Sequence, residues 1–256
     1  MKETLLEIDG LTKRFGGIVA LNSVNMSAEA KKITAVIGPN GAGKTTLFNL
    51  IAGVYAPTEG MIRMNGWPLN NMPPEKRVRM GIARTFQDVR LFGNMTVLEN
   101  VMTGRHVQSR TGFFDAALRL PRSRKEEESI YLQGMRYLNL VGLGDKAHED
   151  ALSIPFGQQK LVAIARALAT EPKLLLLDEP GSGLNALEKD ALGDLIKRIC
   201  DLGITVLLVE HDVNMVMSIA QWVIVLDYGV KIAEGTASQV QRDPKVIAAY
   251  LGNEAK

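Results

Sequence analysis

The chain has 256 residues, of which 46% are hydrophobic and 23% charged, and its formal net charge is +2. This length fits one large domain or one domain with an insertion, and the near-neutral charge argues against binding nucleic acid through a basic surface. The single cysteine, Cys200, excludes an internal disulfide and fits a reducing compartment. We expect no signal peptide, because the start MKETLLEIDG has no apolar core of sufficient length. We expect no transmembrane segment, because no stretch approaches the roughly 20 apolar residues that cross a bilayer.

Hydrophobic periodicity predicts alternating strands and helices along most of the chain. The segment 96–170 is predicted to be mainly helical, with a polar, basic interruption at 106–128. Predicted strands are 5–9, 19–27, 32–37, 61–65, 82–85, 173–177, 205–209, 223–226 and 231–233, and predicted helices are 43–51, 73–80, 186–202, 213–219 and 244–251.

This order of elements predicts an α/β fold. Strands that alternate with helices after Ile33 indicate a mostly parallel core sheet covered on both faces. The opening strands have no helix between them and indicate an additional antiparallel β layer. We expect a single domain, 1–256, with a catalytic lobe formed by 1–94 and 166–256 and an inserted helical subdomain at about 95–165.

A phosphate-binding loop is the strongest motif. Residues 38–45, GPNGAGKT, match G-x-x-x-x-G-K-[ST] between a predicted strand and a predicted helix. The glycines let the backbone N–H groups form an anion nest beside the positive end of the helix. Lys44 is expected to reach the β- and γ-phosphates of ATP, and the Thr45 hydroxyl to bind Mg²⁺. The predicted nucleotide-binding residues here are Gly38, Pro39, Asn40, Gly41, Ala42, Gly43, Lys44, Thr45 and Thr46.

Two adjacent acids follow the apolar run LLLL at 174–177. Carboxylates at the end of a buried strand are costly to desolvate unless they have partners. Asp178 is expected to bind Mg²⁺, and Glu179 to act as the base that polarises the attacking water.

The stretch FGQQKLVAIARAL, residues 156–168, resembles the signature region of ABC ATPases. Together with the phosphate loop and the acid pair, the resemblance spans essentially the whole chain. It implies the ABC cassette form of the P-loop NTPase fold. Two such subunits would sandwich two ATP molecules, each between one phosphate loop and the other subunit's signature residues, which here are Phe156, Gly157 and Gln158.

The same resemblance assigns further residues. Phe15 in KRFGG matches the aromatic residue that stacks on adenine, with a plain packing role as the alternative. Gln87 in RTFQDVRLF matches the glutamine that senses Mg²⁺ and faces the membrane subunits. His211 in VEHD matches the histidine that contacts the γ-phosphate. Residues 181–185, GSGLN, match the loop that crosses the dimer interface, with Asn185 where the wider family usually has aspartate.

The signature loop departs from the family pattern. Counting back from Arg166 places Pro155 at the serine position and Phe156 at the first glycine position. Pro155 has neither the hydroxyl nor the N–H that this loop normally offers to the partner's γ-phosphate. Ser153 could substitute only if the loop bulges by two residues. The alternative is that the change at this loop has no functional effect. The departure predicts a heterodimer with a second, related ATPase, and a homodimer stays open.

The strings RFGGIVALNSVN, MGIARTFQDVRLFGNMTVLENV and YLG resemble the ATP-binding subunits of branched-chain amino acid importers. This implies an ATP-hydrolysing motor, peripheral to the cytoplasmic face of the inner membrane, with two permease subunits and an extracytoplasmic solute-binding protein. No nucleic-acid partner is expected. Phe113 and Phe114, in the basic segment, either touch a membrane subunit or cap a solvated loop.

Several alternatives remain. Urea, short amides or aromatic acids could be moved by near-identical motors. The ATPase of a lipopolysaccharide-type exporter is a close relative. A non-transport ABC ATPase usually carries long coiled coils or a second cassette, and the sequence indicates neither. A P-loop kinase or GTPase is a weaker alternative, because it would need neither the FGQQ helix nor His211.

Overall fold

The computed structural model describes residues 3–87, 89–105 and 121–251. Phe113, Phe114 and the rest of 106–120 lie outside the described residues, so the two interpretations of that segment stay predictions. Within the described ranges, no helix is both long enough and apolar enough to span a membrane.

The predicted strands and helices are present in the predicted order, and the structure adds two short elements that were not predicted, the strand Trp67–Pro68 and the helix Ala237–Gln241. The strands are β1 (Thr4–Phe15), β2 (Ile18–Glu29), β3 (Ile33–Ile37), β4 (Glu59–Met64), β5 (Trp67–Pro68), β6 (Ile82–Arg84), β7 (Leu174–Asp178), β8 (Thr205–Val209), β9 (Trp222–Asp227) and β10 (Val230–Gly235). The helices are α1 (Lys44–Ala52), α2 (Pro74–Met80), α3 (Val97–Arg105), α4 (Pro121–Leu140), α5 (Phe156–Leu168), α6 (Ala186–Asp201), α7 (Val213–Ile219), α8 (Ala237–Gln241) and α9 (Pro244–Leu251).

The chain divides into two compact units, and the first holds the residues up to Arg77 and those from Lys173 onward. Five strands of this unit lie side by side in the order β10-β9-β3-β8-β7. Neighbours among β9, β3, β8 and β7 are parallel, and β10 is antiparallel to β9. Every residue of β3, β7 and β8 is buried, which explains why these strands are continuous apolar runs.

A second sheet in the same unit has the order β2-β1-β4-β5 and antiparallel pairing. Strands β1 and β2 have 12 residues each and are longer than predicted. The added part of β1 begins at Gly10 and includes the buried Thr12 as well as the exposed Arg14, so a regular alternation of apolar residues does not mark it. The predicted α/β class, with a mostly parallel core sheet and an antiparallel layer, is confirmed.

The second unit, Val78–Pro172, contains helices α3, α4 and α5, which pack on one another. It begins before the predicted boundary at residue 95, and the last part of the preceding segment is tied to α3. The buried Asn100 side chain accepts a hydrogen bond from the Phe92 N–H at 2.8 Å and donates to the carbonyls of Phe92 and Thr96 at 3.1 and 3.0 Å. The helical unit therefore includes residues that hydrophobic periodicity alone leaves in the other lobe.

Candidate functional site

The loop between β3 and α1 has a backbone that only glycine can form at two positions. Gly38 has φ 151° and Gly43 has φ 100°. A Cβ atom on Gly38 would lie 2.0 Å from the carbonyl oxygen of Leu226, and one on Gly43 would lie 2.7 Å from that of Ala20. The loop thus packs closely against β9 and β2, and its glycine backbone can present N–H groups to an anion.

Lys44, the first residue of α1, is buried with 6% of its surface exposed. Its Nζ donates hydrogen bonds to the carbonyl oxygens of Gly38 and Pro39 at 2.7 and 2.9 Å. Burial lowers the pKa of this ammonium, and the nearby charges of Glu179 and Asp178 act in the opposite direction. The first turn of α1 has no acidic residue and no side-chain cap. This donor-rich loop therefore fits the phosphates of a nucleotide.

The acid pair stands at the end of β7. Asp178 is the last residue of the strand, is 3% exposed and pairs in register with Val209 of β8. Glu179 follows with φ 47°, a left-handed conformation that is uncommon for a side chain of this size. Its N–H donates to the Val209 carbonyl at 2.9 Å. The turn therefore directs Glu179 out of the sheet at the strand's carboxyl end.

His211 meets Glu179 at the same edge of the sheet. The Nδ1 atom of His211 lies 3.7 Å from Oε2 of Glu179, and the imidazole is about half exposed. Because β3, β7 and β8 are parallel neighbours, the loops that follow them emerge together. The fold thereby brings together the phosphate loop, the acid pair and His211, the arrangement that phosphoryl transfer to water requires.

A family model described as ABC transporter matches residues 21–182, more than half of the chain. The chain belongs to the ABC transporter family. A second model, described as branched-chain amino acid ATP-binding cassette transporter, matches residues 230–256. As in this family generally, the chain is an ATP-binding subunit and an ATPase coupled to transmembrane transport.

Two curated relatives match almost end to end. The high-affinity branched-chain amino acid transport ATP-binding protein BraF of Pseudomonas aeruginosa is 43% identical, over 98% of this chain and 99% of BraF. The corresponding protein LivG of Escherichia coli is 41% identical, over 98% and 99% of the two chains.

Solved structures of ABC cassettes have the same fold. The ADP conformation of an ATP-binding cassette of an ABC transporter is 32% identical with TM-score 0.85, over 97% of this chain and 99% of that one. A dimeric bacterial ABC transporter cassette is 26% identical with TM-score 0.78, over 91% and 99% of the two chains.

One acid of this ABC cassette was missed by the sequence reasoning. Glu210, directly after β8, is fully buried. Its Oε1 accepts a hydrogen bond from the Gly181 N–H at 2.5 Å, and its Oε2 accepts one from the His211 N–H at 3.2 Å. The acid pair Asp178 and Glu179 was recognised because it follows an apolar run, and Glu210 follows the apolar run 206–209, so the same signal could have singled out Glu210.

Phe15, the residue predicted to stack on adenine, belongs to an exposed aromatic pair. Phe15 is 41% exposed and packs edge-on against Tyr55, with ring centroids 5.2 Å apart and an interplanar angle of 77°. The Nζ of Lys13 lies 4.9 Å from the Phe15 ring centroid. Phe15 thus has both a packing partner and an accessible face. Tyr55 is a further candidate that no sequence motif marked.

The loop 181–185, called here the interface loop, ends at a helix cap. The Asn185 side chain accepts a hydrogen bond from the Glu188 N–H at 3.0 Å, and the Glu188 carboxylate accepts from the Asn185 N–H at 2.9 Å. This capping box starts α6. Asparagine caps a helix about as well as aspartate, so the departure from the family's usual residue leaves the local structure intact.

The predicted glutamine and the predicted signature residues lie in the second unit. Gln87 is exposed on the segment after β6. Pro155 precedes α5 at its N-cap position, with no side-chain cap, and Phe156 opens the helix with 52% of its surface exposed. Gly157 and Gln158 follow in the first turn and are half-buried. The roles assigned to these residues stay predictions.

Proposed function

We propose that this chain is the ATP-hydrolysing subunit of an importer for branched-chain amino acids. It would work at the cytoplasmic face of the inner membrane with two permease subunits and an extracytoplasmic solute-binding protein. The observation that carries the motor function is the meeting of Lys44, Glu179 and His211 at one sheet edge. The solute class is supported by the names of BraF and LivG and by the match at 230–256.

We infer the roles of the catalytic residues from their positions. Lys44 holds phosphate oxygens within the loop, where it now binds two carbonyls. Glu179 accepts the proton of the attacking water, and His211 orients the terminal phosphate. Thr45 and Asp178 would hold Mg²⁺, which neutralises charge on the phosphates. The strongly bent loop at Gly38 and Gly43 supports the fit of a nucleotide here.

Two cassettes would act together. We infer that Phe156, Gly157 and Gln158 face the nucleotide held by a second cassette, and the dimeric state of a related cassette supports such pairing. Pro155 removes a hydroxyl and an N–H from this surface. The preferred partner is therefore a related ATPase with an intact signature serine.

A cavity in the second unit supports contact with a permease. Its volume is about 460 Å³, and it lies beside the segment that carries Gln87. Exposed Phe86 and Phe92 line it together with three arginines, Arg84, Arg90 and Arg166. Apolar rings beside cations suit an amphipathic segment of a membrane subunit with acidic residues. Transport coupling would pass through this cavity.

Reconstitution tests the whole assignment. The chain is purified with its two permeases and its partner ATPase, and the complex is placed in vesicles with ATP on the cassette side. Uptake of radiolabelled leucine that requires ATP and the solute-binding protein is the expected result. Lys44→Ala should abolish uptake, whereas Lys197→Ala, on an exposed helix face, should not.

The same vesicles separate the alternatives. ATP hydrolysis by the complex with uptake of urea, a short amide or an aromatic acid, and none of leucine, would refute the solute class and keep the motor function. Outward movement of a lipid-linked sugar would show an exporter instead.

A further inference from the structure

Glu210 is a charged residue with no exposed surface in the middle of the ATPase site. It follows β8, which has β3 on one side and β7 on the other. Burying a carboxylate is unfavourable unless hydrogen bonds compensate for lost hydration. The compensating donors that the structure places on it are two backbone N–H groups, those of Gly181 and His211. They belong to different loops.

Those two loops have different roles. Gly181 begins the interface loop, which precedes α6, and His211 begins the turn into α7. A hydrogen bond from the Glu179 N–H to the Val209 carbonyl at 2.9 Å already joins the bases of the loops. The carboxylate of Glu210 adds a second connection farther along both. The two loops are therefore joined twice at short range.

The contact between Glu210 and Gly181 leaves the interface loop little room to move. A Cβ atom at this position would lie 2.8 Å from Oε1 of Glu210 and 3.2 Å from Sδ of Met215. The absence of a side chain thus allows the backbone of the interface loop to approach the carboxylate directly. A shift of that loop must then move the carboxylate or break the 2.5 Å hydrogen bond.

The second carboxylate oxygen of Glu210, Oε2, lies near the imidazole of His211 as well as its backbone N–H. Nδ1 of His211 lies 3.8 Å from Oε2 of Glu210 and 3.7 Å from Oε2 of Glu179. The ring thus stands between the predicted base and the buried carboxylate. Displacing Glu210 would change both the position of the His211 backbone and the charge beside its ring.

We propose that Glu210 is a positioning residue that links the interface loop to His211, so that the imidazole is placed for hydrolysis when a second cassette holds that loop. The proposal rests on the proposed ATPase dimer and adds the path by which dimer closure reaches the reacting phosphate. It predicts an effect on turnover rather than on ATP binding.

The test uses the complete reconstituted transporter. Glu210→Ala should lower kcat for ATP at least about tenfold while KM and the ATP dissociation constant stay within about twofold, which is the pattern of an interaction needed in the transition state. Glu210→Gln keeps one acceptor oxygen and should give an intermediate kcat. Glu188→Gln is the matched control, because its carboxylate also accepts from the interface loop, at Asn185, but has no contact with His211 among the described residues. Its kcat should stay within about twofold of wild type.

A double-mutant cycle shows whether Glu210 acts through His211. If it does, Glu210→Ala should cause no further loss in a His211→Ala background. Equal losses in the two backgrounds, an unchanged kcat, or a drop in ATP affinity that matches the drop in kcat would each overturn the proposal. If Glu210→Ala does not fold, as judged by its thermal unfolding, Glu210→Gln is used in the same cycle. A wild-type complex that hydrolyses ATP without moving leucine refutes the solute class and leaves this test readable.

Discussion

The hydroxyl of Ser153 donates a hydrogen bond to the backbone carbonyl of Asp150 at 2.8 Å. The Ser153 N–H is bonded to the same carbonyl at 3.1 Å. Both donors are thus used inside the turn that precedes Pro155 and α5. Moving Ser153 into the serine position of the signature loop would break this turn, so Ser153 is a poor substitute for the missing hydroxyl.

The first prediction concerns the asymmetry that follows from Pro155. Each lost contact to a charged phosphate costs about 1.5–3 kcal/mol, so the site facing Pro155 should turn over slowly. The site formed by this chain's Lys44, Glu179 and His211 would face an intact partner loop and do most of the work. Glu179→Gln should then abolish nearly all ATPase activity of the complex.

The matching substitution in the partner ATPase is the control, and it should leave a substantial fraction of the activity. Steady-state phosphate release measures the ATPase activity of each variant complex. Equal losses would contradict the asymmetric model, and a fully active homodimer of this chain would contradict the heterodimer.

The second prediction concerns the bend of the phosphate loop. Gly38→Ala places a methyl group 2.0 Å from the Leu226 carbonyl oxygen at a φ of 151°. Backbone strain of this kind costs about 1–3 kcal/mol, and the loop should also lose its affinity for ATP. Gly17→Ala is the control, since its methyl group has no neighbour within 4 Å and needs no left-handed backbone. Urea unfolding and calorimetry should show a clear loss for Gly38→Ala alone.

The third prediction is a pH dependence of stability. The Lys189 ammonium, 2.7 Å from Asp212, donates the hydrogen bond that most lowers the pKa of that carboxyl, and the Met215 N–H adds to the effect. A carboxyl with a lowered folded-state pKa stabilises the fold above its ordinary pKa, about 3.9, and that contribution is lost as the pH falls through the folded value.

Lys189→Met should therefore reduce the free energy of unfolding at pH 7 by roughly 0.5–1 kcal/mol. The difference from wild type should shrink below about pH 4. Lys197→Met removes a more exposed pair with Asp194 and should be neutral at both pH values. A difference that persists unchanged at pH 2.5 in reversible urea unfolding would contradict the assignment.

The fourth prediction concerns Phe15. Stacking of a base on an aromatic ring contributes about 1–3 kcal/mol, so Phe15→Ala should weaken ATP binding roughly tenfold, and Phe15→Trp should preserve it. Inorganic triphosphate has no base and should bind both variants like wild type. Equal weakening of ATP and triphosphate in Phe15→Ala would instead indicate the packing role beside Tyr55.

Where the sequence carries sharp local signals, it predicts the structure well. The bounds of β8, α7 and α9 are confirmed to the residue. Helix α7 starts after Asp212, whose side chain accepts from the Met215 N–H at 3.2 Å, and α9 starts at Pro244. Caps and prolines fix helix ends through local chemistry, and that chemistry can be recognised in the sequence.

Features that depend on distant residues could not be predicted. The bent loop at Gly38 depends on the carbonyl of Leu226, and the burial of Glu210 depends on Gly181. The pairing of Phe15 with Tyr55 joins the end of β1 to the loop that follows α1, 40 positions away. No local pattern encodes such contacts, so the catalytic motifs are predictable and their supporting contacts are not.

The buried cysteine makes this chain well suited to spectroscopic labelling. Cys200 is the only cysteine, its Sγ donates to the Lys31 carbonyl at 3.3 Å, and burial raises the pKa of its thiol. The thiolate that reacts with maleimides or nitroxide reagents is therefore scarce in the native protein. Leu187 is 81% exposed and lies just beyond Asn185. It could be replaced by cysteine and labelled while Cys200 is left in place. A spin label there would report the distance between two cassettes throughout a transport cycle.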